Sequence, residues 1–200
     1  MAGNSTRVTF SAAIEVPPAV AAPPREFDAV YDELFPFVWR NVRRLGVPAA
    51  SLDDVCQEVF VVVHRRLSEL DSRASLRPWI YAILRNRVLV FRRGLQRKSP
   101  EHRSQQPLVD AELLTDDRSD PHEALSNAES AGIARRLLEE LDEDKRTVLM
   151  LVEIEEMSVP EVAEATGANL NTTYARLRAA RGEFAAAAQR FRAKDGWRMP

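Results

Sequence analysis

The chain of 200 residues has almost none of the chemistry that builds covalent or metal-held scaffolds: one cysteine, Cys56, and three histidines. A lone cysteine excludes an internal disulfide and any cysteine-based zinc site, and the apolar neighbours of Cys56 predict a buried rather than reactive thiol. His64, His102 and His122 lack metal-ligand spacing, and neither G-x-S-x-G nor a glycine-rich phosphate loop occurs. Asp/Glu pairs fall on wet helix faces, so no catalytic residue, no metal and no cofactor are expected, and an enzyme is the least favoured class. Only seven glycines, set among long helix-period patterns, argue for an all-α fold. No apolar run approaches the roughly 18 residues needed to span a bilayer, and the N-terminus lacks a signal-peptide core, which predicts a cytoplasmic protein.

Charge is present but unevenly spread. The net value is -2, yet residues 26–98 hold 13 Lys/Arg against 9 Asp/Glu, residues 99–170 hold 6 against 18, and residues 171–200 hold 7 against 2. Two basic blocks therefore flank an acidic middle, and local fields of this kind matter more for nucleic acid than the total does. The first block is densest from Ser75 to Lys98, where seven cations and no acid are interleaved with Trp79, Tyr81 and Phe91. Cations attract phosphate and exposed rings stack on unpaired bases, but an amphipathic helix with core aromatics and solvated arginines reads equally well.

Taken in order, residues 1–25 are rich in Ala, Val and Pro and predict a disordered tail. From Phe27 to Leu45 apolar residues recur at three and four: Phe27, Val30, Tyr31, Leu34, Val38, Val42 and Leu45. Pro36 is expected to kink this helix, and Gly46 with Pro48 to end it. Ser51 reads as the cap of a second helix with Leu52, Val55, Val59, Val62, Val63 and Leu67 inward, and Asp54, Gln57, Glu58 and Val61 together on the opposite face. Ser75 caps a third helix with Pro78 in its first turn, and the pattern stops at Gly94. Residues 95 to about 124 have no sustained period and predict a linker that as a flexible coil would span roughly 30 Å.

Periodicity returns at Ile133, Leu137, Leu138 and Leu141, then at Val148, Leu149 and Val152. Ser158-Val159-Pro160-Glu161 is a capping box opening a short helix that Gly167 closes, and Asn169 caps a last helix with Leu170, Thr173, Leu177, Ala180 and Phe184 inward. Two helices across a glycine turn make a helix-turn-helix. The second presents Asn171, Thr172, Tyr174, Arg176, Arg178 and Arg181 outward, donors suited to phosphates and guanine edges in a major groove, which puts DNA ahead of an ordinary helical hairpin.

Three runs in this order resemble the sigma-70 family of bacterial RNA polymerase, in its extracytoplasmic-function (ECF) group, over residues 27–96 and 127–190. Asp54-Val55-Cys56-Gln57-Glu58-Val59-Phe60 is similar to the family's D-x-x-Q-E-x-F helix. Ser75-Leu76-Arg77-Pro78-Trp79-Ile80-Tyr81 through Arg85-Asn86 is similar to S-F-R-x-W-L-Y…R-N. Leu138 to Arg181 follows the fourth region through L-x-x-L, M-S-x-x-E-V-A and T-x-Y-A-R-L-x-x-A-R.

The resemblance implies two small all-α domains joined by a flexible linker: a tail at 1–25, a region 2 helical bundle at 26–96, the linker at 97–126, a region 4 helix-turn-helix at 127–192 and a C-terminal tail at 193–200. It implies a sigma factor that binds core RNA polymerase through its β′ clamp and β flap and directs promoter-specific initiation. Asp54, Gln57, Glu58 and Val61 would dock on the polymerase. Ser72, Arg73, Arg77, Trp79, Tyr81, Arg85 and Asn86 would read and melt the -10 element, and the outward residues of the last helix would read -35. An anti-sigma protein is implied as a further partner. The sequence departs from the family at Thr173, Tyr174, Ala175, Arg87, Val90 and His64, so the promoter sequence is not inherited. The competing expectations are a helix-turn-helix regulator of duplex DNA without polymerase and a sigma-like interaction adaptor.

Overall fold

The computed structural model describes residues 25–71, 74–98 and 121–195. Among these, seven α-helices and a single 3₁₀ turn form the whole regular structure: α1 (Phe27–Arg44), α2 (Ala49–Arg66), the turn Leu67–Glu69, α3 (Leu76–Lys98), α4 (Pro121–Glu139), α5 (Glu143–Glu153), α6 (Val159–Thr166) and α7 (Leu170–Asp195). Residues 1–24 of the predicted tail and residues 99–120 of the predicted linker lie outside the described residues.

In the first unit α1, α2 and α3 pack pairwise around Leu34, Val38, Val42, Val59, Val63, Ile80, Leu84 and Val88, each almost wholly buried. These are the positions the three-and-four spacing selects, and each such burial is worth about 1.5–3 kcal/mol. α1 runs through Pro36 without ending there, and Gly46 turns the chain with φ 81°, in the left-handed region where a Cβ is strained. Cys56 is buried as expected, and burial pushes its thiol up to about 11.

Three local expectations change. α2 starts at Ala49, not behind Ser51: Pro48 supplies the extended residue ahead of the helix and its carbonyl accepts the Ser51 N–H at 2.9 Å, which draws Ser51 into the first turn. α3 does not stop at Gly94 but continues to Lys98, because an interior glycine costs a helix only about 1 kcal/mol and does not break it. α4 begins at Pro121, ahead of the apolar spacing that first marks it at Ile133, with proline in the first turn where its missing N–H is tolerated.

The second unit is α4 to α7. Asp142 caps α5 by accepting the Lys145 N–H at 2.9 Å. Ser158 and Glu161 form the expected capping box on α6, and Gly167 closes it with φ 66°. Thr173, Leu177 and Ala180 of α7 face inward as predicted, but Leu170 is exposed, since it stands at the first position of the helix ahead of the turns that pack on α5 and α6. The two units do not stand apart. α6 lies along α3, and buried side chains of both belong to one continuous core.

Candidate functional site

Asp54, Gln57, Glu58 and Val61 all lie on the exposed stripe of α2, with Val61 43% exposed although apolar. Their spacing of three and four puts them side by side, because the alternate stripe of Leu52, Val55, Val59 and Val63 is held in the core. Next to this stripe an open groove of about 740 Å³ is lined by side chains of α1 and α2. Phe27, Tyr31, Phe35 and Phe60 floor it, with Tyr31 and Phe60 centroids 4.6 Å apart, and Gln57, Val61 and His64 edge it. These aromatics escaped the sequence reading as functional candidates, although the signal was there: rings at 27, 31 and 35 repeat at four and line one helix face.

The residues expected to meet -10 DNA separate into several environments along α3. Arg77, Arg85 and Asn86 are exposed residues, while Trp79 is only partly buried and packs against the core. Tyr81 is 2% exposed, edge-on to Phe37 at 6.5 Å and hydrogen-bonded to Thr147 of α5. Burial pushes its phenol up to about 12. Ser72 and Arg73 lie outside the described residues.

The two free-looking arginines are in fact engaged by the second unit. Arg77 donates from Nη1 to the Glu155 carbonyl at 2.9 Å, and Arg85 from Nη1 to the Thr166 carbonyl at 2.7 Å. Nearby, Arg92 pairs with Glu143 at 2.9 Å and Ser75 donates to Glu161 Oε1 at 2.8 Å. At the centre of this junction is Glu155, 3% exposed, held by Arg40 at 2.9 Å and by Arg44. Burial by itself would raise the Glu155 carboxyl; the hydrogen bond from Arg40 and the charge of Arg44 outweigh it and hold the group below the ordinary carboxylate range.

The loop that delivers Glu155 is tightly specified. Ile154 and Glu155 both donate their N–H to the Met150 carbonyl, Met157 donates to Leu151, and Glu156 turns the chain with φ 54°. None of Arg40, Arg44 or Glu155 was singled out from the sequence, and no local pattern marks them, because the pairs they form span 111 and 115 residues.

On α7, Asn171, Thr172, Tyr174, Arg178 and Arg181 are exposed, Tyr174 by 52%, and all project from the side opposite Thr173, Leu177 and Ala180. Arg176 is half-buried against Asp144 at 2.5 Å, and Arg181 pairs with Glu153 at 2.7 Å. Surface pairs of this kind hold a side chain weakly, at about 0–1 kcal/mol, so they orient the guanidinium groups without removing them from use. Among the described residues no cluster of His, Cys, Asp and Glu fit to hold a metal occurs, and no helix is long and apolar enough to cross a membrane.

Residues 30–98 match the family described as Sigma-70 region 2, and residues 131–183 match Sigma-70, region 4. The RNA polymerase sigma factor NccH of Alcaligenes xylosoxydans xylosoxydans is 31% identical over 147 residues, covering 74% of this chain and 78% of its own. The chain belongs to the ECF group of the sigma-70 family. As a sigma factor it is a regulatory subunit, serving promoter-directed transcription initiation by RNA polymerase. Among solved structures this sigma factor resembles CnrH, determined with the cytosolic domain of CnrY, with a TM-score of 0.54 at 23% identity over 82% of this chain and 87% of that one. It also resembles RpoE of Bartonella quintana, determined with the anti-sigma factor NepR, with a TM-score of 0.63 at 15% identity over 82% and 96%. At these identities the likeness establishes the two-unit helical fold of the sigma factor.

Proposed function

We propose that this sigma factor divides promoter recognition among three of its surfaces. Residues 26–96 act as the region 2 domain and residues 127–192 as the region 4 domain, joined through 97–126, of which α3 takes the first two residues and α4 the last six. The α2 stripe of Asp54, Gln57, Glu58 and Val61 docks on the β′ clamp of core polymerase, with the aromatic groove beside it extending the contact. The observation that carries this reading is the stripe itself: an apolar side chain and three polar ones stay exposed together on a helix whose other face is fully packed.

On α3, and in the turn before it, Ser72, Arg73, Arg77, Trp79, Arg85 and Asn86 hold the -10 strand, whereas Tyr81 belongs to the core, where its ring packs on Phe37, and is withdrawn from the DNA-reading set. Extruding a base from the duplex costs a few kcal/mol, which stacking and phosphate contacts must offset. On α7, Asn171, Thr172, Tyr174, Arg176, Arg178 and Arg181 enter the -35 major groove, while region 4 meets the β flap. Chemistry stays with the polymerase, so this chain is not an enzyme and works in the cytoplasm where the polymerase is. Since CnrH and RpoE were each determined with a binding protein, an anti-sigma protein is proposed as a further partner here.

Two variants separate the surfaces. Val61→Asp should weaken capture by core polymerase while leaving the fold unchanged, since Val61 is exposed. Arg178→Ala should leave core binding intact and weaken holoenzyme binding to duplex promoter fragments, by about 1–3 kcal/mol if it reads a base edge, or with a salt slope lower by about 1 if it meets a phosphate. Unchanged core capture by Val61→Asp would overturn the docking assignment.

A further inference from the structure

Arg44 is buried with only part of its guanidinium satisfied. It is 7% exposed on α1, and its Nη1 donates to the Glu155 carboxylate. Its Nε and Nη2 are shielded from solvent, and neither finds a hydrogen-bond acceptor among the described residues. These two atoms are the side-on fork of the group, whose parallel N–H bonds suit an acceptor taken by both at once. Buried donors without partners are costly, the more so on a charged group, so a fork of this kind takes a ligand.

The space for one lies beside it. A cavity of about 30 Å³ is lined by Asn41 and Arg44 of α1, Tyr81 of α3, and Arg146 and Thr147 of α5, together with apolar side chains. That is room for a water or a monatomic ion and too little for phosphate or sulfate. We propose that this cavity is a binding site for a single halide ion, chloride in ordinary buffers, held by the side-on fork of Arg44.

Charge decides between an anion and a water. Glu155, the carboxylate bound to Arg44, is shared with Arg40. Arg146, 8% exposed, lines the same cavity, and its Nη2 donates to a neutral acceptor, the Leu141 carbonyl. Two buried guanidinium groups therefore meet at a cavity to whose lining no Asp or Glu among the described residues contributes. Burial draws the pKa of Arg44 and of Arg146 down, and the carboxylates around them do not offset it. A water would satisfy the N–H groups and leave that positive charge uncompensated, whereas a halide answers both needs. The hydroxyls of Tyr81 and Thr147 add to this: their mutual hydrogen bond uses one O–H and leaves the other available to donate.

The ion has a structural role. Its cavity includes no residue of the α2 stripe and none of the outward residues of α7, so its effect is on stability.

Melting of the full chain in sodium chloride and in sodium gluconate, at equal sodium concentration, tests the site. A halide bound only by the folded protein stabilises it by mass action, so once the site is saturated each tenfold rise in chloride should raise Tm by about 3–6 °C. Arg44→Lys keeps a cation for Glu155 and removes the side-on fork. The general salt effect is common to both proteins, and the chloride response beyond it should be lost in Arg44→Lys. A wild-type response no larger than that of Arg44→Lys would overturn the site. Crystals of the full chain grown in sodium bromide locate the ion without any variant: an anomalous peak is expected beside Arg44 Nε and Nη2. Bromide peaks confined to surface cations, or density in the cavity without anomalous signal, would overturn the proposal in favour of a water.

Discussion

Removing the Glu161 carboxylate should cost the helix-turn-helix more than removing the Ser158 hydroxyl that formally caps it. The hydroxyl accepts the Glu161 N–H at 3.5 Å, the limit of hydrogen bonding, whereas Glu161 Oε2 accepts the Ser158 N–H at 2.9 Å and the Ser158 hydroxyl at 2.8 Å. Its other oxygen takes the Ser75 hydroxyl at 2.8 Å. A lost cap costs about 1 kcal/mol, and a lost carboxylate at a helix N-terminus removes a further ~0.3–1 kcal/mol of dipole interaction along with its own hydrogen bonds. Glu161→Ala should therefore lose about 2 kcal/mol and Ser158→Ala about 1 kcal/mol or less, which in a chain of this size lowers Tm by about 4–8 °C against 2–4 °C.

The sign of the pH effect follows from the same contacts. The backbone hydrogen bond from Ser158, aided by the hydroxyls of Ser158 and Ser75, holds the Glu161 carboxyl below its ordinary value of 4.5. A group whose folded pKa is depressed contributes stability that is complete above its unfolded pKa and is lost as pH falls through the folded value. Thermal melts followed by far-UV circular dichroism should then show a gap between wild type and Glu161→Ala near neutrality that narrows well below pH 4.5. Equal losses for the two variants near neutrality, or a gap undiminished in acid, would refute the reasoning.

Other expectations follow from particular residues. Glu156 holds φ 54°, which costs a non-glycine residue roughly 1–2 kcal/mol, so Glu156→Gly should be neutral to about 1 kcal/mol more stable in urea titration after glycine's own entropy is counted, and Glu156→Val less stable. Leu84 is fully buried where α3 meets its neighbours, and Leu84→Ala should lose about 2–5 kcal/mol by the same assay. Because Glu155 is held below the ordinary carboxylate range, the stability it contributes through Arg40 and Arg44 is intact at neutral pH and fades as pH falls through that depressed value. Glu155→Gln should therefore be less stable than the wild type in urea titration near neutrality, and a difference undiminished in acid would contradict it.

Most of the helical architecture was legible because burial and period coincide: Leu34, Val38, Val42, Val59 and Val63 are core for the reason their spacing announces. Turn chemistry was equally plain at Gly46 and Gly167, where φ is positive, and at the Ser158 capping box. Boundaries were less so. Ser51 looks like a cap until Pro48 is seen to take that place, and Gly94 looks like a stop although a helix tolerates it. The candidate site divides in the same way. The α2 stripe and the outward residues of α7 follow from helical period, but the burial of Tyr81 and the grip of Arg40 and Arg44 on Glu155 depend on contacts between the two ends of the chain. Period and capping report a residue's neighbours within a turn or two, so such pairings leave no local trace.

Run-off transcription tests the central claim most directly: purified core RNA polymerase, with and without this protein, on genomic promoter fragments. The expected result is discrete transcripts with defined start sites that require the protein. Folded protein that gives no initiation above core polymerase alone would contradict it.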